Sequence, residues 1–211
     1  MFDILLPELN KTLIMVFFST LFSLILGFIP AIILIVTAPK GLKPNKVIYN
    51  TLDTIINIFR SFPFLILMVA IVPFTKLIVG KSIGTAAAIV PLTVAAAPFI
   101  ARVIESALKE VDPGVIEAAK SFGASNTQII FKVMLKEAVP SIISGITLTI
   151  ISIIGYSAMA GTVGGGGLGD VAIRYGYQRY QTDIMIVTVI ILIIIVQVLQ
   201  TLGNYLYKKL S

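Results

Sequence analysis

Uncharged apolar runs alternate with short polar breaks along this chain, and the runs are long enough to cross a bilayer. Thr12–Pro39 carries no charge over its whole length. Ser61–Thr75 is equally clean but falls short of the roughly 20 apolar residues that a spanning helix needs. Its span is therefore expected to begin near Asn50, with Asp53 and Arg60 inside it or at its edge. Ser82–Ala101 follows, Ala138–Gly169 contains a fourth span, and Ile184–Tyr207 is the fifth. The pattern predicts an all-α integral membrane protein, 1–211 forming one transmembrane domain. Its five helices are expected over about 12–38, 51–75, 82–104, 139–163 and 183–207. The first run is not a secretory leader: it is too long for the apolar part of one, and Asp3 and Glu8 stand where positive charge is expected.

One polar break has a structure of its own. The stretch VIEAAKSFGASNTQIIFKVMLKEAVP, residues 115–140, carries Glu117, Lys120, Lys132, Lys136 and Glu137. Asp112 before Pro113 reads as an N-cap with proline in the first helical position. Gly123 offers a left-handed stop, and Ser125 with Gln128 has the spacing of a capping box. Ile130, Val133, Met134 and Ala138 give the second helix an apolar side, with Lys132 and Lys136 on a charged stripe. The prediction is a two-helix hairpin over 112–138, joined at Gly123–Ala124 and projecting from the membrane. A solvated inter-span loop is the plain alternative, but such a loop has no need of two capped helices or of the small Ala118–Ala119 surface. A DNA-binding helix-turn-helix shares the outline, yet a hairpin fused to spans at both ends cannot lie freely in a major groove.

Composition agrees with the pattern. The chain is 57% hydrophobic and 12% charged, about half the charge of a soluble domain, and its mean hydropathy is +1.03. With no Cys there is no disulfide or thiol chemistry, and with no His the commonest general base and metal ligand are missing. The net charge of +6 and pI of 9.6 reflect basic residues held on one side of a membrane rather than a nucleic-acid partner. Five spans put ten basic residues on one side: Lys40, Lys43, Lys46, Arg102, Lys109, Lys120, Lys132, Lys136, Lys208 and Lys209. The other side receives five: Lys11, Lys76, Lys81, Arg174 and Arg179. The expectation is a cytoplasmic C-terminus and hairpin, with the N-terminus and the Gly-rich tail of span four outside.

Candidate chemistry is sparse. Gly80-Lys81-Ser82 resembles the end of a phosphate-binding loop, but Thr75 stands where the motif needs its first glycine. Gly164-x-Gly166-x-x-Gly169 matches a dinucleotide fingerprint in letters alone, because it follows a membrane helix instead of a strand. No residue set suggests ATP hydrolysis, a catalytic centre, a metal site or a cofactor, so the chain must borrow energy or act passively. Arg60 is the one full charge at membrane depth; it either faces a cavity or snorkels to the interface. Asp53, seven residues earlier, is too far along the helix to pair with it. Span four carries Thr147, Thr149, Ser152, Tyr156, Ser157, Met159 and Gly161. Ser157, Gly161, Gly165 and Gly169 form a small-xxx-small series, read either as ordinary helix packing or as part of a pathway helix for a small, partly apolar zwitterion.

The stretch EAAKSFGASNTQIIFKVML resembles the EAA loop of the inner-membrane permeases of ATP-binding-cassette importers. Glu117, Ala118, Ala119, Gly123, Val133 and Leu135 match that pattern; Lys136 stands where its final proline belongs, and the next proline is Pro140. IFRSFPF in span two and GYSAMAGTVGGGGLGD after span four are similar to the methionine branch of these permeases. The resemblance implies a type I importer fold whose hairpin docks on a dimeric cytoplasmic ATPase through Glu117, Ala118, Ala119, Gly123 and Ala124. It implies an extracytoplasmic substrate-binding lipoprotein as a further partner, an inner-membrane location, and L- or D-methionine as cargo. Arg60, Tyr156, Ser157, Met159 and Gly161 are the substrate-path candidates. Five helices are too few to line a gated path, which points to a homodimer with the path on its two-fold axis. A gradient-driven carrier or channel is the alternative; such carriers usually have more spans and internal repeats, and none is visible here. A membrane scaffold would need no polar residues facing a span interior.

Overall fold

The computed structural model describes residues 2–211, and its elements are helices. Helix α1, Phe2–Thr37, begins about ten residues before the expected first span and carries Pro7 and Pro30 within it. Helix α2, Lys46–Ser61, starts at Asn45, whose side chain accepts the amides of Val47 and Ile48. It stops because Pro63 forces Phe62 out of helical conformation (φ −72°, ψ 127°). Helix α3, Phe64–Ala70, leaves at 100° to α2. Helix α4, Val72–Val79, closes on Gly80 in the left-handed region. The helix expected over 51–75 is therefore a broken element, and a single proline accounts for the break.

Helix α5, Thr85–Lys109, is the centre of the molecule, and α1 lies along it. The two come close at Gly27, where a Cβ would stand 2.6 Å from the carbonyl oxygen of Ala97. Ser23 also donates to the carbonyl of Thr93 at 3.2 Å. Helix α6 is Pro113–Ser121 and helix α7 is Asn126–Gly165. The second hairpin helix does not end near 138: it is the first part of α7 and runs through Pro140 into the fourth apolar run as one 40-residue element. A π-helical stretch, Ile129–Met134, lies within it. Beyond α7 the chain reverses at Gly166 and Gly167 into a short helix, α8, Leu168–Val171, continued by a π-helical turn, Ala172–Tyr177. The tail of the fourth run thus folds back on the bundle. Helix α9, Thr182–Leu210, completes the chain.

Three apolar clusters divide the bundle along its length. At one end Leu34, Ile104, Leu108, Ile129 and Met134 join the end of α1, the end of α5 and the start of α7. In the middle Met15, Phe64, Leu92 and Ile153 join α1, α3, α5 and α7. At the far end Leu5, Leu168, Val171 and Ile184 tie α1 to α8 and α9. Among the described residues four helices, α1, α5, α7 and α9, are long and apolar enough to cross a membrane; the bent pair α2–α3 makes a fifth crossing if counted as one. Only 11% of the most apolar window of α9 is buried, with Ile186, Ile190, Ile193 and Ile194 exposed. Apolar surface of that extent belongs against lipid or another chain.

Candidate functional site

The hairpin is built as the capping residues dictate. Asp112 Oδ1 accepts the amide of Gly114 at 2.6 Å and opens α6. Gly123 takes φ +78°, while the amide of Ala124 donates to the carbonyl of Ala119 at 3.1 Å, the bond that closes a helix on a left-handed residue. Ser125 and Gln128 exchange the two capping-box hydrogen bonds, at 3.3 and 2.8 Å, and open α7. Ile116, Ala119 and Ala124 pack against the apolar cluster at this end, whereas Glu117, Ala118 and Gly123 face outward. The alanine pair is therefore divided between an inner and an outer face. At the tip stands Phe122, 91% exposed, a residue that the sequence reading passed over. An aromatic residue beside a glycine turn in a polar stretch was the available signal.

Beneath the hairpin, α2, α5, α7 and α9 enclose an open hollow of about 470 Å³. Arg60, Phe99, Arg102, Ser106, Glu110 and Tyr207 border it. A second hollow of about 190 Å³ adjoins it and shares Phe99, Val103, Gly145 and Leu148, with Ile153 and Tyr156 on its far wall. The guanidinium of Arg60 lies over the ring of Phe99, 5.1 Å from its centre. Tyr156 stacks on Phe64 with ring centres 4.9 Å apart.

The five path candidates thus separate. Arg60 and Tyr156 border the two hollows. Ser157 is buried and donates to the carbonyl of Ile154 at 2.7 Å, and Gly161 is packed against the backbone of Asp170. Met159 is half-exposed and borders neither hollow. The small-residue series also has a use within the chain, since Gly169 packs against the backbone of Ala158 and lets α8 lie tightly on α7.

A charged network at the hairpin end was not foreseen. Glu105 on α5 is fully buried. Its carboxylate receives Arg102 at 2.6 Å and Lys109 at 2.6 Å, with the Tyr49 hydroxyl donating at 3.3 Å. Arg102 also bonds Asp53 at 2.6 Å and Asn57 at 3.0 Å on α2. Asp53 is thus held by α5 and not by Arg60. The spacing Arg102–Glu105–Lys109, three then four residues apart, places all three groups on one helical face and was the legible signal.

At the opposite end the glycine fingerprint is a turn closed by the chain itself. The amide of Gly167 donates to Glu8 Oε2 at 2.6 Å, that of Leu168 donates to the Thr12 hydroxyl at 2.9 Å, and that of Gly84 donates to the carbonyl of Gly164 at 2.9 Å. Amides already committed to a carboxylate and a hydroxyl of α1 do not cradle a phosphate. Gly80 is simply the left-handed cap of α4.

Comparison with known proteins agrees along the whole length. The chain is 53% identical over 209 residues to the probable D-methionine transport system permease protein MetI of Vibrio cholerae, covering 99% of this chain and 93% of that one. It is 46% identical over 172 residues to the methionine import system permease protein MetP of Bacillus subtilis, covering 82% and 78%. A chain of the MetNI methionine ABC transporter, solved in inward-facing conformations, superposes with a TM-score of 0.98 at 44% identity, covering 100% and 98%. The profile of the family described as "Binding-protein-dependent transport system inner membrane component" matches residues 31–211. The chain therefore belongs to this family of inner-membrane transport components.

Proposed function

We propose that this chain is the permease subunit of an ATP-driven methionine importer. The observation that carries the reading is its likeness, over nearly its full length, to permeases named for methionine transport. In this reading two copies pair about a two-fold axis, a dimeric cytoplasmic ATPase docks beneath them, and an extracytoplasmic binding lipoprotein delivers the amino acid. The hairpin end, with its larger share of Lys and Arg, faces the cytoplasm together with the C-terminus, and the turn that Glu8 holds faces outward.

The outer side of α6 is the docking surface. Glu117, Ala118 and Phe122 meet the ATPase directly, while Ala119, Gly123 and Ala124 fix the angle at which they are presented. A bare aromatic ring flanked by small residues suits an anchor that enters an apolar cleft. Because α7 starts inside the hairpin and runs on as a membrane helix, displacement of the hairpin displaces a wall of both hollows. Arg60 and Tyr156 line the path; Ser157 and Gly161 support it by packing, and Met159, exposed, borders neither hollow.

The test is reconstitution. Purified alone the chain hydrolyses no ATP; with its ATPase it forms a two-plus-two complex that imports methionine into liposomes when the binding protein and ATP are supplied. Methionine accumulation by this chain alone, driven by an ion gradient with no ATPase present, overturns the reading.

A further inference from the structure

Arg60 differs from the other charges around the inner hollow. Arg102 is ion-paired with Asp53 and Glu105 and bonds Asn57, although its Nε has no partner. Glu110 receives the hydroxyl of Ser141 at 3.0 Å. Among the described residues Arg60 makes no ion pair and no side-chain hydrogen bond; its Nε is buried without a partner, and the ring of Phe99 is its only compensation. A guanidinium keeps its charge at any working pH, so a partly desolvated one with no acceptor is costly. The one unpaired carboxylate on this hollow, Glu110, lies eleven residues beyond Phe99 on the same helix, about 16 Å along its axis. Among the charges that border this hollow Arg60 is the cation without an ion-pair partner, and its fork of N–H donors fits a carboxylate.

The ring beneath Arg60 is also the doorway to the smaller hollow. Phe99 borders both, and no charged residue lines the smaller one. Leu148, Ile153 and Tyr156 make its walls apolar, and its two aromatic rings suit a thioether. The hydroxyls of Thr149 and Ser152 on its border donate to the carbonyls of Gly145 and Leu148. Together the two hollows present one unpaired guanidinium and one apolar recess on either side of a single aromatic ring, while Asp53 and Glu105 are engaged by Arg102 and Glu110 stands at the end of α5.

We propose that Arg60 and the recess bounded by Phe99, Leu148, Ile153 and Tyr156 form a transit site inside the membrane. It takes a carboxylate bearing an unbranched apolar tail: the carboxylate lies on Arg60 and the tail enters the recess. The site does not read the ammonium group, so both hands of an amino acid fit it, and discrimination by the amino group belongs to the delivering protein outside. This assignment rests on the permease reading and gives Arg60 a chemical task within it.

The experiment uses the full complex with its ATPase in nanodiscs, without the binding protein, and detects ligand by saturation-transfer NMR. The probes are methionine, its hydroxy acid (a hydroxyl in place of the ammonium) and its carboxamide (no negative charge). Methionine of either hand and the hydroxy acid receive saturation on the S-methyl group; the carboxamide receives none. Arg60→Gln weakens methionine binding by about tenfold or more, the loss expected for a charge-assisted hydrogen bond, while Arg60→Lys holds it within about threefold. Tyr156→Ser lowers saturation of the S-methyl group in particular. Elution of each variant as an intact complex shows that it has folded. Binding of the carboxamide as tight as that of methionine overturns the proposal. So does unchanged methionine binding in Arg60→Gln, or no binding to the wild-type complex up to the solubility of methionine. Failure of the chain to form the complex at all overturns instead the permease reading on which the proposal rests.

Discussion

Gly123 is the position at which a small change separates backbone geometry from bulk. Its φ of +78° lies in the left-handed region, and a Cβ built there meets nothing within 4 Å. A side chain at this position therefore clashes with no neighbour, and its whole cost is the strain of its own backbone. For Ala that is about 1–2 kcal/mol. For Val, branched at Cβ, it lies toward the top of the roughly 1–3 kcal/mol range of residues held in rare regions. Asn visits the left-handed region readily and costs little. If the turn must hold this geometry to present α6, strain converts directly into loss of the docking-competent hairpin. One to three kcal/mol is about 5- to 150-fold. Gly123→Val is expected to insert and express normally, because the membrane helices lose no contact, but to lose transport toward the high end of that scale. Gly123→Ala falls between it and the wild type, and Gly123→Asn stays close to the wild type. The assay is methionine uptake at matched membrane levels, with substrate-stimulated ATPase activity measured in parallel. Wild-type uptake by Gly123→Val refutes the reasoning. Equal losses in Asn and Val also refute it, since they trace the effect to side-chain bulk at the docking face and not to φ.

Phe122→Ala removes the exposed anchor without touching the fold; co-purification with the ATPase weakens and uptake falls about tenfold, while thermal stability of the chain in detergent is unchanged. Glu105→Ala leaves Arg102 and Lys109 facing each other without their shared carboxylate. The melting transition should fall by the equivalent of about 2–3 kcal/mol, below the roughly 3–5 kcal/mol of a fully buried pair because Lys109 is 43% exposed. Single cysteines at Ser82 or Gln178, both exposed in a chain free of natural cysteine, react with an impermeant reagent from outside the cell, whereas those at Asn45 or Ser125 react only after permeabilisation. The reverse labelling pattern would invert the orientation.

What the sequence made legible follows the range over which the responsible forces act. Caps and turns are local: Asp112, Gly123, Ser125 and Gln128 contain within a few residues everything needed to define the hairpin, and the structure builds it as they dictate. Long apolar runs are local in the same sense. Pro63 was also in view, yet hydropathy averaged over a run is insensitive to one residue that breaks a helix, so the expected second span became a bend of 100°. The fate of Pro140 is the converse: a proline just past the expected end of the hairpin did not stop α7, because packing of Ile129, Met134 and Ala138 at the hairpin end carries the helix through. Tertiary context decides the rest. Where α8 folds back on α7 depends on the Glu8 carboxylate and the Thr12 hydroxyl meeting the amides of Gly167 and Leu168, about 160 residues later in the chain. No periodicity encodes such a pairing. The same holds for Glu105, whose place in a run ending near Arg102 gave only a helical spacing. Its burial requires Asp53 and Tyr49, delivered by α2, to complete the charge balance that makes a fully buried carboxylate tolerable. Arg60 is the case in which that balance is left incomplete: the fold supplies an aromatic ring and an open hollow but no ion-pair partner, and on this the proposed transit site rests.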